Sequence, residues 1–455
     1  MTIYKSEGKR MYRILPIESD KNTIILPYHS ELAAELSGGQ ELLLEYGQKT
    51  RSVHVNRSIE LEENHLLVPA DVLKHLKIPL TSAYCLRVEQ NKLIIGPYIG
   101  ILADLSGELL AELVTTLSSF LTYYHRIGGT IVAFALDGVN TKNQEIQGYI
   151  YEPETKAWIP GTYTYPASVL SITEASLTDK WDDFIKVMLH FKQGLGSAVF
   201  NYPIFSKWDM YKLLKPRYEN HLPETKVYVA PQTIKEMIEK HQTIYIKPIH
   251  GRLGRYIFQA EKSSSGYTIR YKMKRKPKVR LYRTEKSFLL FFQKLIDPGD
   301  YLIQATIPLM HHNQSLIDFR VMMAKSHQGE WQTSGIFARY GASGSIVSNI
   351  TAGGRAELAD KTLKKVWKLN NKQISEVKQT ITELCQNVLA VIEAEGYHCG
   401  NIGVDIGIDQ DLSLFIIEIN NQNPDPYIAK RAKRSPEFYK HRYLNMMYAK
   451  KLAGF

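Results

Sequence analysis

The sequence predicts a mixed α/β and α+β chain in three parts: a β-rich segment over residues 1–95, a small α/β unit over 96–200, and a larger α+β domain over 201–455. Three observations predict it. At 455 residues the chain is about three domains long, taking roughly 150 residues for each. Its 44% apolar and 23% charged residues are ordinary globular chemistry and argue against wholesale disorder. The hydrophobic period also changes along the chain, from short alternating runs, to strand–helix–strand, to a strand-heavy stretch with one long amphipathic helix.

The first part contains two similar copies. NTIILPYHSELAAELSGGQELLLEYG begins at Asn22 and NHLLVPADVLKHLKIPLTSAYCLRVEQ at Asn64. Pro27 and Pro69 match at an offset of 42, each after a short apolar strand and before a short helical turn. The second part reads as strand (IIGPYIGILAD), apolar-periodic segment from Leu109 to Leu121, and strand (GTIVAFALDG from Gly129), which at this spacing suggests parallel pairing. Residues 181–192 present a helical apolar face. In the third part, Ile374, Val377, Ile381, Leu384, Val388 and Ile392 recur at helical spacing, and Gly396 is placed to end that helix in a left-handed conformation. His311 and His312 read as a loop with no partner spacing for a metal.

Charge and cysteine content narrow the function classes. The net charge is +11, and two stretches account for it: eight Lys/Arg and no acid over 270–283, and eight Lys/Arg against one Glu over 427–451. The rest is close to neutral, so an anionic ligand or polyanion should meet those segments. The first partly alternates and reads as an exposed strand; the second as an amphipathic terminal helix. No nucleic-acid motif accompanies the charge, so nucleic acid is not the expected partner. Cys85, Cys385 and Cys399 form no CxxC pair, which excludes a zinc ribbon and a disulfide framework and fits a reducing compartment. No apolar run approaches the ~18 residues that span a bilayer, and no signal-peptide pattern is visible, so neither membrane insertion nor secretion is expected.

The most informative segment is GNIGVDIGIDQDLSLFIIEINNQNPDP from Gly400. Strands over about 402–409 and 414–420 flank a polar turn, and a loop over 410–413 places Asp405 opposite Glu418. Alternation puts Asn420 on the same face, with Val404, Ile406, Ile417 and Ile419 on the other. Two carboxylates side by side on an apolar sheet are costly unless something positive lies between them, and a hard divalent cation such as Mg²⁺ meets that need. The alternative is a solvated acidic hairpin. Mg²⁺ held this way bridges carboxylates to nucleotide phosphates. A matching phosphate cradle is offered by Lys247 at the end of the strand TIYIKP and by Gly251 and Gly254 in HGRLGR, which is neither a Walker A loop nor GxGxxG.

The order SKWDMYKLL, LPET, IYIKPIHGRLGR, YLIQATI, DFRVMM, SNITAGGRA, GVDI and EINNQNP, from Ser206 to Pro424, resembles the ATP-grasp superfamily. Within it the chain resembles the ribosomal-protein glutamate ligase branch, and most of all the YheC/YheD-type endospore coat-associated proteins. The resemblance implies an ATP-grasp fold of two α+β subdomains gripping nucleotide, preceded by a small α/β pre-ATP-grasp unit and the β-rich N-terminal domain. It implies that Lys207 and Lys247 reach phosphates, that Gly251, Arg252 and Gly254 lie in the loop closing over them, and that Gln304 and Ile307 border adenine. Arg320 and Arg339 would face the γ-phosphate and acyl group, with Asn349, Gly353 and Gly354 beside the reacting centre; Asp405, Glu418 and Asn420 would hold the metal. Arg252 and Tyr256 occupy loop positions that are small in most members, so the loop should be restricted and turnover more affected than nucleotide binding.

The implied activity is an ATP- and Mg²⁺-dependent carboxylate–amine ligase working through an acyl phosphate, with an amino acid and a peptide or protein as substrates. The implied setting is sporulation: the mother-cell cytoplasm, in association with the endospore coat. Two other readings stay open, a nucleotide-binding structural protein of the coat and an ATP-grasp kinase acting on a hydroxyl.

Overall fold

The computed structural model describes residues 5–6, 9–19, 22–174, 178–251, 255–273, 276–348, 350, 353–424 and 426–455. The chain groups into two compact units. One comprises residues 1–202, 325–330 and 442–455, the other residues 203–324 and 331–441.

The first unit opens with a closed barrel. Its strands run in the order Tyr12–Ile17, His65–Pro69, Thr23–Pro27, Lys49–Ser58, Glu41–Tyr46, Lys92–Gly96, Ala83–Glu89. The strands ending in Pro27 and Pro69 share one burial pattern. They cross antiparallel at Ile25 and Leu67, which are 42 residues apart and so pair position with equivalent position. The flanking registers repeat in kind: Arg13 pairs His65 as His54 pairs Thr23, and Ala83 pairs Arg13 as Glu41 pairs His54. The strand that precedes each copy, Tyr12–Ile17 or Lys49–Ser58, therefore pairs with strands of the other copy, and closure leaves the barrel no free edge.

The barrel is followed by a six-stranded sheet in the order Ala157–Thr164, Glu145–Glu152, Thr130–Asn140, Tyr98–Asp104, Ser168–Ser171, Val199–Phe200. Tyr98–Asp104 and Thr130–Asn140 are parallel, as their spacing predicts. The connecting segment departs from expectation: an α-helix covers only Gly107–Leu113, and Val114–Leu121 is a 3₁₀ helix. Thr116, Ser119 and Thr122 each donate a hydroxyl to the carbonyl three residues back, which favours the tighter winding.

The second unit contains two sheets. One has the order Thr225–Val227, Tyr301–Ala305, Thr243–Pro248, Phe258–Ser263, Gly266–Met273, Lys276–Tyr282. Ile244, Ile246, Phe258, Ala260 and Ile269 form its buried face, against the helices Pro231–His241 and Glu285–Gln293. The other has the order Arg355–Leu358, Trp331–Tyr340, Ser315–Lys325, Asn401–Ile408, Leu414–Asn420. Its core face meets the helices Lys207–Tyr218, Ala359–Val366 and Asn371–Ala394. The last of these begins with a capping box between Asn370 and Gln373 and is followed by Gly396 at φ +87°, the left-handed position expected for it.

His311–His312 is a short strand rather than a loop. It pairs with Ser315 and Leu316 across Asn313 and Gln314, both at positive φ, the turn geometry that a two-residue hairpin requires. The three cysteines are buried, and among the described residues no disulfide is formed. Among the described residues no helix is long and apolar enough to cross a membrane.

Candidate functional site

Strand alternation assembles the site. In Ser315–Lys325 the side chains of Ile317, Phe319, Val321 and Met323 enter the helix-packed core, so Asp318 and Arg320 face the other way. In Asn401–Ile408, Ile402, Val404, Ile406 and Ile408 do the same, leaving Gly403, Asp405 and Gly407 outward. The registers bring Arg320 beside Asp405, Asp405 beside Glu418 and Gly403 beside Asn420. Four of the expected site residues thus share one sheet face.

The hairpin reaches this register by a route the spacing does not reveal. Asp409 leaves the strand and its carboxylate accepts from the Asp411 and Ser413 amides, so the turn is one residue longer than expected. A bulge at Ile417 then restores the alignment of the two acids. Consequently Ile416 takes the core position expected for Ile417. A side chain on Gly407 would meet Leu309, Ile307 and Ile417, so Ile417 lies on the site face with Ile307.

Charge is densely cross-paired here. Arg320 grips Asp405 with both Nε and Nη2, the latter 3.0 Å from Oδ2. Arg339 Nη2 lies 3.0 Å from the same oxygen, and its Nε and Nη2 donate to Asp318 at 2.7 and 2.6 Å. Ser348 donates its hydroxyl to Asp318. Burial pushes the Asp405 carboxyl up, but Arg320 and Arg339 outweigh it and hold the group below the usual carboxylate range. Burial likewise works against the charge of Arg339, and Asp318 and Asp405 outweigh it, holding the guanidinium protonated.

Two lysines complete the constellation. Lys207 opens its helix behind the capping residue Ser206, which together with Asp209 closes a capping box. Its Nζ donates to the Gly251 carbonyl at 2.7 Å and stands 3.3 Å from Glu418 Oε1. Lys247 is buried and donates at 2.8 Å to Gln304 Oε1; Gln304 in turn donates to Thr225 Oγ1 at 2.9 Å. Burial lowers the Lys247 ammonium to about 8; Glu418 and Asp405 act to raise it, and Lys207 adds to the lowering. With Lys207, Lys247, Arg320 and Arg339 protonated, four cations face three carboxylates, Asp318, Asp405 and Glu418, so the face is receptive to an anion.

Asp405, Glu418 and Asn420 are the side chains that could hold Mg²⁺, although Arg320 and Arg339 engage both Asp405 oxygens in this structure. Asp405 and Glu418 are direct cross-strand neighbours, and Asn420 turns its Nδ2 to the Gly403 carbonyl at 3.4 Å, leaving its amide oxygen as a neutral donor. Among the described residues no group of three or more His, Cys, Asp or Glu could form a metal cage. Two carboxylates with one amide oxygen is nonetheless what an ion needs when substrate phosphates and water complete its shell.

Arg252, Gly254 and Asn349 lie outside the described residues. Gly353, at φ +95°, and Gly354 follow Ser348, whose hydroxyl is on Asp318. Tyr256 is 70% exposed, so its ring does not fill the site. Asp318 is the residue that motif reading missed; its signal is the alternation D-x-R, which puts it on the face of Arg320. Tyr245 was missed as well: it pairs with Gln304 in register and donates its hydroxyl to the Ile346 carbonyl at 2.8 Å.

The chain is 25% identical over 417 residues to the endospore coat-associated protein YheD of Bacillus subtilis (strain 168), covering 89% of this chain and 88% of that one. It is 23% identical over 202 residues to the endospore coat-associated protein YheC of the same organism, covering 44% and 54%. Similar solved structures include the ATP-grasp ligase PsnB complexed with a phosphomimetic variant of its minimal precursor, Mg and ADP (13% identity, 77% of this chain and 99% of that one, TM-score 0.42). Another is the D-cycloserine synthetase DcsG (10% identity, 76% and 99%, TM-score 0.44). Residues 196–452 match the YheC/D like ATP-grasp family, which is more than half of the sequence, and the chain belongs to that family.

Proposed function

We propose that this chain is an ADP-forming carboxylate–amine ligase that joins an amino acid to a peptide or protein. The observation that carries the reading is the convergence of Lys207 and Lys247 on a sheet face where Arg320, Arg339, Asp405 and Glu418 already stand in cross-strand contact. In the first step a substrate carboxylate oxygen attacks the γ-phosphorus of ATP, the bond to the β–γ bridging oxygen breaks, and ADP leaves. In the second an amine nitrogen attacks the acyl carbon, phosphate leaves, and the nitrogen gives up a proton.

In this reading Lys247 binds the α- and β-phosphates and Lys207 exchanges the Gly251 carbonyl for phosphate. Gln304 and Ile307 border the base. Arg320 and Arg339 stabilise charge on the transferring phosphoryl group, with Asp318 holding Arg339 in place and Asn349 beside the reacting centre. Asp405, Glu418 and Asn420 would hold Mg²⁺, which would supply charge neutralisation for the phosphates. Family membership supports the use of ATP, and the similarity to the endospore coat-associated proteins YheD and YheC supports a substrate in the spore coat.

The test incubates the protein with ATP, Mg²⁺, single amino acids and candidate peptides while ADP and peptide mass are followed. A ligase releases ADP only when carboxylate and amine are both present. Release with a polyol alone identifies a kinase, and nucleotide binding with no release under any condition identifies a structural protein. Glu418→Ala should abolish turnover and leave thermal unfolding unchanged; ADP release at the parental rate would remove Glu418 from the metal set.

A further inference from the structure

The strand Lys276–Tyr282 is the last of its sheet and, among the described residues, pairs on one side only, with Gly266–Met273. Its backbone therefore offers a row of amides and carbonyls over seven residues, about 24 Å at 3.4 Å for each. Six of the seven residues are exposed. Alternation divides them into Lys276, Lys278 and Arg280 on one face and Pro277, Val279 and Leu281 on the other. Val279 is 62% and Leu281 77% exposed. These two continue the open face of the sheet, since the registers align Gln304, Tyr245, Gln259, Arg270 and Val279 in one row across it.

We propose that this edge accepts an extended protein segment in which Asp or Glu alternates with apolar residues, added as a seventh strand. Three features select that occupant. The unpaired amides and carbonyls match a polypeptide backbone, whereas a nucleic acid backbone has no such donor–acceptor period. The apolar pair takes alternate apolar side chains of the incoming strand, and Lys276, Lys278 and Arg280 take its acids. A second copy of the same strand would set cations opposite cations, which disfavours self-pairing. Arg280 is anchored for this role: its guanidinium lies 5.2 Å from the Phe291 ring centre and donates to the Tyr271 hydroxyl at 3.0 Å. Binding at this edge needs no turnover.

Lysine and proline on a sheet edge also serve to prevent pairing, and the experiment separates the two roles. The probe is a fluorescein-labelled heptapeptide of alternating Glu and Val, titrated into the full chain without nucleotide and read by anisotropy. Saturable binding is expected, weakened about tenfold or more when alternate backbone amides of the peptide are methylated. Lys276→Glu with Lys278→Glu should weaken the Glu peptide similarly and turn the preference to the Lys–Val counterpart, with circular dichroism unchanged. Absence of saturable binding would leave edge protection as the only role. Equal binding of the methylated peptide, or equal competition by a twelve-residue oligothymidylate, would show plain attraction to polyanions and overturn the proposal.

Discussion

The two sheets of the second unit carry charge in opposite ways. The sheet holding Asp405 fastens its charges to one another: Arg320, Arg339, Asp318 and Asp405 form a closed set of ion pairs across three successive strands. The sheet holding Lys247 leaves that buried ammonium facing a neutral amide, with Glu418 and Asp405 as the carboxylates that act on it. A paired set is rigid and keeps its protonation state; a desolvated single charge is poised to gain from an arriving anion. The difference separates two kinds of charge: the acidic sheet is organised beforehand, and under the proposed function the lysine sheet would be completed by its ligand.

The largest effect should come from breaking the closed set. Asp318→Ala leaves Arg339 buried with only Asp405 in reach and should lower stability by about 3 kcal/mol, read by urea unfolding. Lys247→Met removes a charge that burial already penalises and should change stability by less than about 1 kcal/mol, because the loss of a hydrogen bond to Gln304 offsets the relief. Equal destabilisation by both variants would erase the distinction between the sheets.

A pH series sharpens the same comparison. The Lys247 ammonium titrates at about 8 in the folded chain and near 10.5 when unfolded. Between those values the unfolded state binds the extra proton, so this lysine contributes stability that rises with pH from about 8 to 10.5. Nucleotide affinity should move the other way, weakening up to about tenfold for each unit above pH 8, because the neutral amine no longer meets phosphate. Lys247→Arg, charged throughout, should flatten that slope. A wild-type affinity constant from pH 7 to 9.5 would mean Lys247 does not touch the anion.

Much of this was legible in local pattern. The alternation of GVDIG and IIEIN, with a plausible turn between them, was enough to set Asp405 opposite Glu418. It succeeded partly because two unseen deviations cancel, the longer Asp409 turn and the Ile417 bulge. What joins distant strands was not legible: nothing in SNITAGG says that Ser348 bonds Asp318, or in SKWD that Lys207 reaches Gly251 and Glu418. The cation demanded by two neighbouring acids also had more than one source. The spacing suggested a metal, while the fold supplies guanidiniums and a lysine from three other elements. The repeat around Pro27 and Pro69 was readable as similarity, but the pairing of each copy with the strand that precedes the other required the registers.

The smallest effect concerns the loop beside Lys247. The bulk of Tyr256 suggested a loop obstructed by its side chain, yet the ring is 70% exposed and the backbone is at φ +58°. A non-glycine residue there carries a cost of roughly 1 kcal/mol, set by its own Cβ rather than by its ring. Glycine removes that cost but loses more freedom on folding, so Tyr256→Gly should stabilise by no more than about 1 kcal/mol in thermal unfolding. If the ring stays clear of the phosphates, ATP affinity should remain within about twofold of the parent, a shift below 0.5 kcal/mol. A large gain in affinity would instead mean that the closed loop turns Tyr256 inward, and that the lysine sheet is held open by its own aromatic side chain.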